Sequence, residues 1–155
     1  MSKIVIYEVG KTDDKYLVEG IDKYLKRLKH YVKLEIQTIK ESRQKLATLK
    51  TQEESSQIFS KISNNDYVIL LDEHGKELSS VEFAAFIEDM NLNNPNNLLF
   101  IIGGAYGHSD HLRQRANMIL SFSKMTFSHQ MIRLFLVEQI YRAFTIIKNE
   151  KYHNE

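Results

Sequence analysis

The apolar positions of this chain change period along its length, and the changes mark out alternating strands and helices. Residues 3–9 (KIVIYEV) form a short β-branched run that stops at Gly10, which predicts a first strand. From Asp13 the spacing turns helical. Tyr16, Leu17, Ile21, Tyr24, Leu25 and Leu28 share one face, and Asp13 and Asp14 suit the positive end of a helix dipole. Leu34, Ile36 and the residues to Ile39 alternate as a second strand. Residues 40–63 are polar, with Leu46, Leu49, Ile58 and Ile62 as thin anchors of a helix or helix-loop.

The second half repeats the alternation more strongly. Residues 66–72 (DYVILLD) and 98–102 (LLFII) are unbroken apolar runs, the pattern of strands covered on both faces, and Gly75 is expected to end the first of them. Between them Ser79 and Glu82 make a capping box, followed by a helical stripe of Phe83, Phe86, Ile87 and Met90. Residues 91–97, with the only proline, read as a turn. Ser109 then caps a short helix carrying Leu112, Ala116 and Ile119. Strand and helix in alternation predict an α/β fold: one domain over residues 1–155, a three-layer sandwich around a mostly parallel sheet.

Composition narrows the function classes. The chain has 155 residues and no cysteine, so disulfides, thiolate nucleophiles and Cys-ligated zinc are excluded. Its start holds no signal-peptide apolar core and no stretch approaches a membrane span, so the expected location is cytoplasmic. Net charge is only +1, yet residues 11–50 hold eleven Lys or Arg against six acids. Lys23, Lys26, Arg27, Lys29 and Lys33 crowd the first helix and its exit, either as a solvated face or as a phosphate-contacting surface.

Ligands of open α/β sheets bind beyond the carboxyl ends of the strands. Three loops meet that description, residues 71–75, 103–108 and 122–129, and they converge if their strands are neighbours. The second carries Gly103, Gly104 and Gly107, half the glycines of the chain. Their spacing fits neither a dinucleotide fingerprint nor a P-loop, which leaves a tight turn or a place where a ligand approaches bare backbone. His108 and His111 stand i, i+3 at a helix start with no further candidate ligand beyond Asp110, so they read as an exposed polar cap and no metal is assigned.

The richest stretch is residues 119–144, ILSFSKMTFSHQMIRLFLVEQIYRAF. It sets Ser121, Ser123, Thr126, Ser128, His129 and Gln130 into a segment otherwise apolar enough for a core, and buried polar atoms need partners. This reads as a ligand-lining loop running into a buried helix. That helix is apolar on nearly every side, which predicts a homodimer through the helix after Ser128. Glu138 and Arg142 either neutralise each other at i, i+4 or serve a site, and Tyr152 and His153 lie in a tail that is either frayed or beside the ligand loop.

These residues carry a resemblance. IIGGAYG, LSFSKMTFSHQMIR with LFLVEQIYRAF, the LLDEHGK segment and the terminal YHNE together resemble the ribosomal RNA large subunit methyltransferase H family, small SPOUT-class enzymes, over essentially the whole chain. The resemblance implies a C-terminal trefoil knot, which general topology rules make improbable for an arbitrary chain. It also implies an obligate homodimer, S-adenosylmethionine as methyl donor, and methylation at N-3 of a pseudouridine in large-subunit rRNA, presented free or in the assembled ribosome. Cofactor contacts carried over are Leu71, Gly103, Phe122, Ser123, Lys124, Met125, Thr126 and Phe127. The expected catalytic set is His129, Arg142, Tyr152 and His153: His153 or His129 as base, Arg142 against developing negative charge or phosphate, Tyr152 stacking on or orienting the base. Family members often have proline where this chain has Ser128 and Lys151. A tRNA methyltransferase and a non-catalytic ribosome-associated RNA-binding module are the alternatives.

Overall fold

The computed structural model describes residues 1–154; Glu155, the last residue of the terminal YHNE, lies outside the described residues. The elements in chain order are β1 (Ile4–Val9), α1 (Lys15–Leu28), β2 (Leu34–Ile39), α2 (Ala47–Phe59), β3 (Tyr67–Glu77), α3 (Ser80–Asn93), β4 (Leu98–Ile102), α4 (Asp110–Arg115), β5 (Met118–Ser121) and α5 (Met131–Ile147). The five strands form one sheet in the order β2-β1-β4-β3-β5, with every pairing parallel.

The sheet is buried on both faces, as the unbroken apolar runs require. On one face Ile4, Ile6, Ile69, Leu98 and Phe100 pack under α1, α3 and α5 with Leu28, Phe83, Leu136 and Ile140. On the other, Val5, Val68, Leu70, Leu99 and Ile101 pack with Ile58 of α2 and Leu112 of α4. The expected three-layer α/β sandwich is therefore present. The capping box at α3 is also made: the Glu82 amide donates to Ser79 Oγ and the Ser79 amide donates to Glu82 Oε2.

Several local expectations change. β3 does not stop at Gly75: it pairs with β5 from Ile69 to Leu71, bulges, and rejoins at Lys76 opposite the same Leu120. The bulge loops residues 72–75 out of the ladder and re-aims them. Ile119 belongs to β5, a four-residue strand with too short a pattern to read, and not to the helix capped by Ser109. α3 runs on to Asn93, three residues into the expected turn. Tyr16, Leu46 and Leu49 are exposed, and α2 instead turns Glu54, Ser55 and Ile58 inward.

Candidate active site

Parallel pairing brings three strands level at one edge of the sheet: Leu71, the last residue of β3 before its bulge, stands opposite Ile102 at the end of β4 on one side and Leu120 of β5 on the other. The segments that follow must converge there. They enclose a cleft of about 640 Å³ whose walls are the β3 bulge, the glycine loop and residues 122–129. Its apolar floor comes from Leu71, Ile102, Leu120, Phe122 and Ile132.

Backbone approaches the cleft closely at the glycine loop. A Cβ on Gly103 would lie 2.8 Å from the Gly107 carbonyl oxygen, and Gly107 itself holds φ +81°, a left-handed conformation that side chains disfavour. The glycines thus build a tight turn that also presents bare backbone. The loop after β5 is held by its own hydroxyls. Ser121 Oγ donates to the Ser123 carbonyl at 2.8 Å, the Met125 amide donates to Ser123 Oγ at 3.0 Å, and Thr126 Oγ1 donates to Glu73 of the bulge.

Of the residues expected to contact a cofactor, Leu71, Gly103, Phe122, Ser123, Met125, Thr126 and Phe127 all line this cleft; Lys124 is exposed beside it. His129 lines it too. Burial, followed by the nearby Arg133 guanidinium, pushes the His129 imidazole below its ordinary range, against the pull of Glu41, Asp13 and Glu54. It is therefore neutral at pH 7.

The other three expected catalytic residues gather elsewhere. Arg142 lies thirteen positions beyond His129, nearly all of them in α5, about 20 Å at helical rise. There Arg142 donates to Glu138 Oε1 from Nε at 3.1 Å and to His153 Nδ1 from its guanidinium at 3.1 Å, and it lies over the Tyr152 ring at 4.8 Å. Tyr152 donates to Glu138 Oε1 at 3.0 Å, and its hydroxyl meets that of Tyr24 at 3.0 Å. Burial and these two hydrogen bonds push the Tyr152 phenol far up, so it stays protonated. The tail is docked on α1 and α5 and does not fray. Because arginine only donates, His153 accepts through Nδ1, and its neutral ring carries the proton on Nε2.

Other residues at or beside the cleft have contacts that the sequence did not assign. His108 is buried, contrary to an exposed cap, and donates from Nε2 to the Leu71 carbonyl at 3.0 Å. The i, i+3 histidine pair was visible, but nothing local showed that only His108 turns inward; His111 stays outside, stacked on Phe59 with ring centroids 4.1 Å apart. Arg113 donates to Asp72 on the bulge. Burial pushes the Asp72 carboxyl up, yet hydrogen bonds from the His74 amide and Arg113 outweigh it and leave the group below the usual range. Arg133, 2 % exposed, bonds the Val9 carbonyl at 2.7 Å and the Gly10 carbonyl and Thr12 Oγ1 at 3.0 Å, with its Nε 3.2 Å from Glu8 Oε2. It ties the root of α5 to the loop after β1. Among the described residues no group of His, Cys, Asp and Glu could hold a metal, and no helix is long and apolar enough to cross a membrane.

Comparison with known proteins agrees with this geometry. Residues 2–153 match a family model described as predicted SPOUT methyltransferase. The ribosomal RNA large subunit methyltransferase H of Cytophaga hutchinsonii is 48 % identical over 154 residues, covering 98 % of this chain and 99 % of that protein. The proteins of the same name from Porphyromonas gingivalis and Enterococcus faecalis are 44 % and 45 % identical, covering 99 % and 97 % of this chain and 99 % of each relative. Among solved structures, the tRNA (m1G37) methyltransferase of Aquifex aeolicus aligns with TM-score 0.58 at 10 % identity, over 99 % of this chain and 75 % of that one. A Legionella pneumophila methyltransferase in complex with the bound cofactor SAM aligns with TM-score 0.50 at 12 % identity, over 91 % and 66 %. At such identities the structural likeness speaks for the fold.

Proposed function

The chain belongs to the SPOUT methyltransferase family, and from that premise we propose that it transfers a methyl group from S-adenosylmethionine to N-3 of a pseudouridine in large-subunit ribosomal RNA, acting in the cytoplasm as one domain. The observation that carries this reading is the cleft at the level strand ends, into which all but one of the expected donor-contact residues fall. The apolar floor suits an adenine, and the bare backbone at Gly103 leaves room for ribose and methionine parts. The rRNA substrate is favoured over tRNA because relatives at 44 to 48 % identity along the full chain carry the rRNA name.

When bound, S-adenosylmethionine supplies an electrophilic methyl on its sulfonium. The residues of the chain align the acceptor and remove its proton. His129 is the base within the cleft, since it lines the wall and burial keeps it neutral and able to accept. His153, with Nδ1 engaged by Arg142, takes up a proton only after that contact opens. Arg142 supplies positive charge for the base anion or a phosphate, and Tyr152 offers a ring for stacking, pre-oriented by Glu138.

Because this second cluster lies about 20 Å along α5 from His129, we place it at the cleft of a partner in a homodimer. Half-buried Phe135 on α5 supports that arrangement, since it packs on Phe127 of the cleft loop and stands outside the apolar residues gathered against the sheet. The C-terminal segment is read as a trefoil knot, in keeping with the family. With a net charge of +1 the protein gains little from bulk electrostatics, so a folded ribosomal surface supplies part of the recognition, helped by Lys23, Arg27 and Lys29.

The decisive experiment is mass spectrometry of rRNA and tRNA from a strain lacking the gene, with calorimetry of the purified protein against S-adenosylmethionine. Loss of one methylpseudouridine from large-subunit rRNA together with cofactor binding is expected. Loss confined to tRNA overturns the substrate, and absence of cofactor binding overturns the enzymatic reading in favour of an RNA-binding module.

A further inference from the structure

A second cleft, about 570 Å³, lies between α2 and α4 on the far side of the glycine loop, within the range of about 300–1,000 Å³ usual for small-ligand sites. It shares Tyr106 and His108 with the first cleft. Tyr106 therefore stands as a ridge between the two, and it is 62 % exposed.

The walls are uncommonly polar for a helix pair on a sheet. α2 turns Glu54 and Ser55 inward where an ordinary amphipathic helix would place aliphatic residues. Glu54 Oε2 accepts from the Ser42 amide at 2.9 Å, and Ser55 Oγ accepts from the Ser109 amide at 3.0 Å. Both inward groups are thus committed to holding the flanking loops, at some expense of apolar burial. What remains facing the cleft is neutral apart from one carboxylate, Asp110 at the start of α4: Thr48, Thr51, Gln52 and Ser56 supply donors and acceptors, and the Phe59–His111 stack supplies a planar edge. No Lys or Arg is among its lining residues.

Mostly neutral donors and acceptors with aromatic faces suit an unstacked nucleobase, whose N–H groups the Asp110 carboxylate can accept, while that carboxylate and the lack of a lining cation argue against a phosphate. We propose that the α2–α4 cleft binds the nucleobase next to the methylated one, with Tyr106 stacked between the two splayed bases. The inference rests on the reading of the chain as an RNA methyltransferase. It also gives the polar segment 40–63 a role: α2 reads the sequence or shape beside the target.

The test uses the full-length protein and a single-stranded oligoribonucleotide carrying 4-thiouridine beside the target position. Photocrosslinks mapped by mass spectrometry to residues 47–59 or 106–111 are expected. Crosslinks confined to α1 and the tail overturn the subsite. In parallel, Ser56→Trp and Thr48→Trp, both at exposed positions on α2, fill the cleft without touching the methyl-donor cleft. Each is expected to raise the KM for RNA about tenfold, the scale of one lost base stack, with cofactor affinity unchanged. An unchanged KM in a folded variant overturns the proposal. A wild-type protein that crosslinks through α2 yet methylates no rRNA overturns the enzymatic reading and leaves the subsite standing.

Discussion

His108 shapes the candidate site from beneath. Its Nε2 hydrogen bond fixes the Leu71 carbonyl where β3 enters its bulge, so the bulge is tied to the glycine loop. Burial holds the imidazole below its ordinary value of 6.5, with the Leu71 hydrogen bond opposing the shift. The folded state therefore binds a proton less readily than the unfolded state, and stability present above about pH 6.5 is lost as pH falls through the folded value. Urea unfolding at about pH 7.5 and about pH 5 should show that loss in the wild type and a smaller one in His108→Gln. An equal loss in both would assign the acid sensitivity to other groups. Tyr152→Phe tests the tail: removing the hydroxyl that joins Glu138 and Tyr24 should cost about 1 kcal/mol in the same assay, whereas a frayed tail would cost nothing. Side-chain direction was the least legible property at this scale. Tyr16 and Leu46 satisfy helical spacing as sequence, but they sit at the very starts of their helices and stay exposed.

Among the elements, β3 carries the most information in its irregularity. Gly75 returns the chain to the ladder after the bulge, and a Cβ there would stand 2.6 Å from the Ile119 carbonyl carbon and oxygen. Backbone cannot yield as a side-chain tip does, so Gly75→Ala should destabilise by about 1–3 kcal/mol. It should also displace Asp72 and Glu73, which Arg113 and Thr126 hold at the cleft wall. Thermal unfolding with and without S-adenosylmethionine would check this; an undiminished cofactor-induced shift would uncouple the bulge from the cleft. The glycine was visible in the sequence and its meaning was not, because a strand end and a bulge leave the same local pattern. Long apolar runs such as β4, and caps such as Ser79 with Glu82, were legible because local chemistry alone determines them.

For the whole molecule, the three-layer architecture followed from alternation, and convergence of the loops followed from parallel order. Strand order did not, because nothing in the run of residues 98–102 says that β4 inserts between β1 and β3. The split of the expected catalytic set between the cleft and the α5 tail was equally hidden, since distance along a helix becomes an obstacle only once the helix is straight and packed. That split is the strongest reason to expect two copies. Phe135→Lys places a charge on the half-buried α5 surface outside the core and should lower the mass seen by light scattering from twice 18.2 kDa to 18.2 kDa. Activity should fall with it, and a wild type already at 18.2 kDa would refute the shared site.

The central position of β4 also sets a timetable. As the chain leaves the ribosome, β1 finds β2 at once, but β3 has no neighbour until β4 has been made, and β4 is what joins β3 to the first pair. Until then a nascent chain holds a two-stranded fragment and an orphan apolar strand, a form inclined to stick to its surroundings. Nearly two thirds of the chain is thus made before the sheet can close, and the order of five strands predicts that chaperones assist its synthesis.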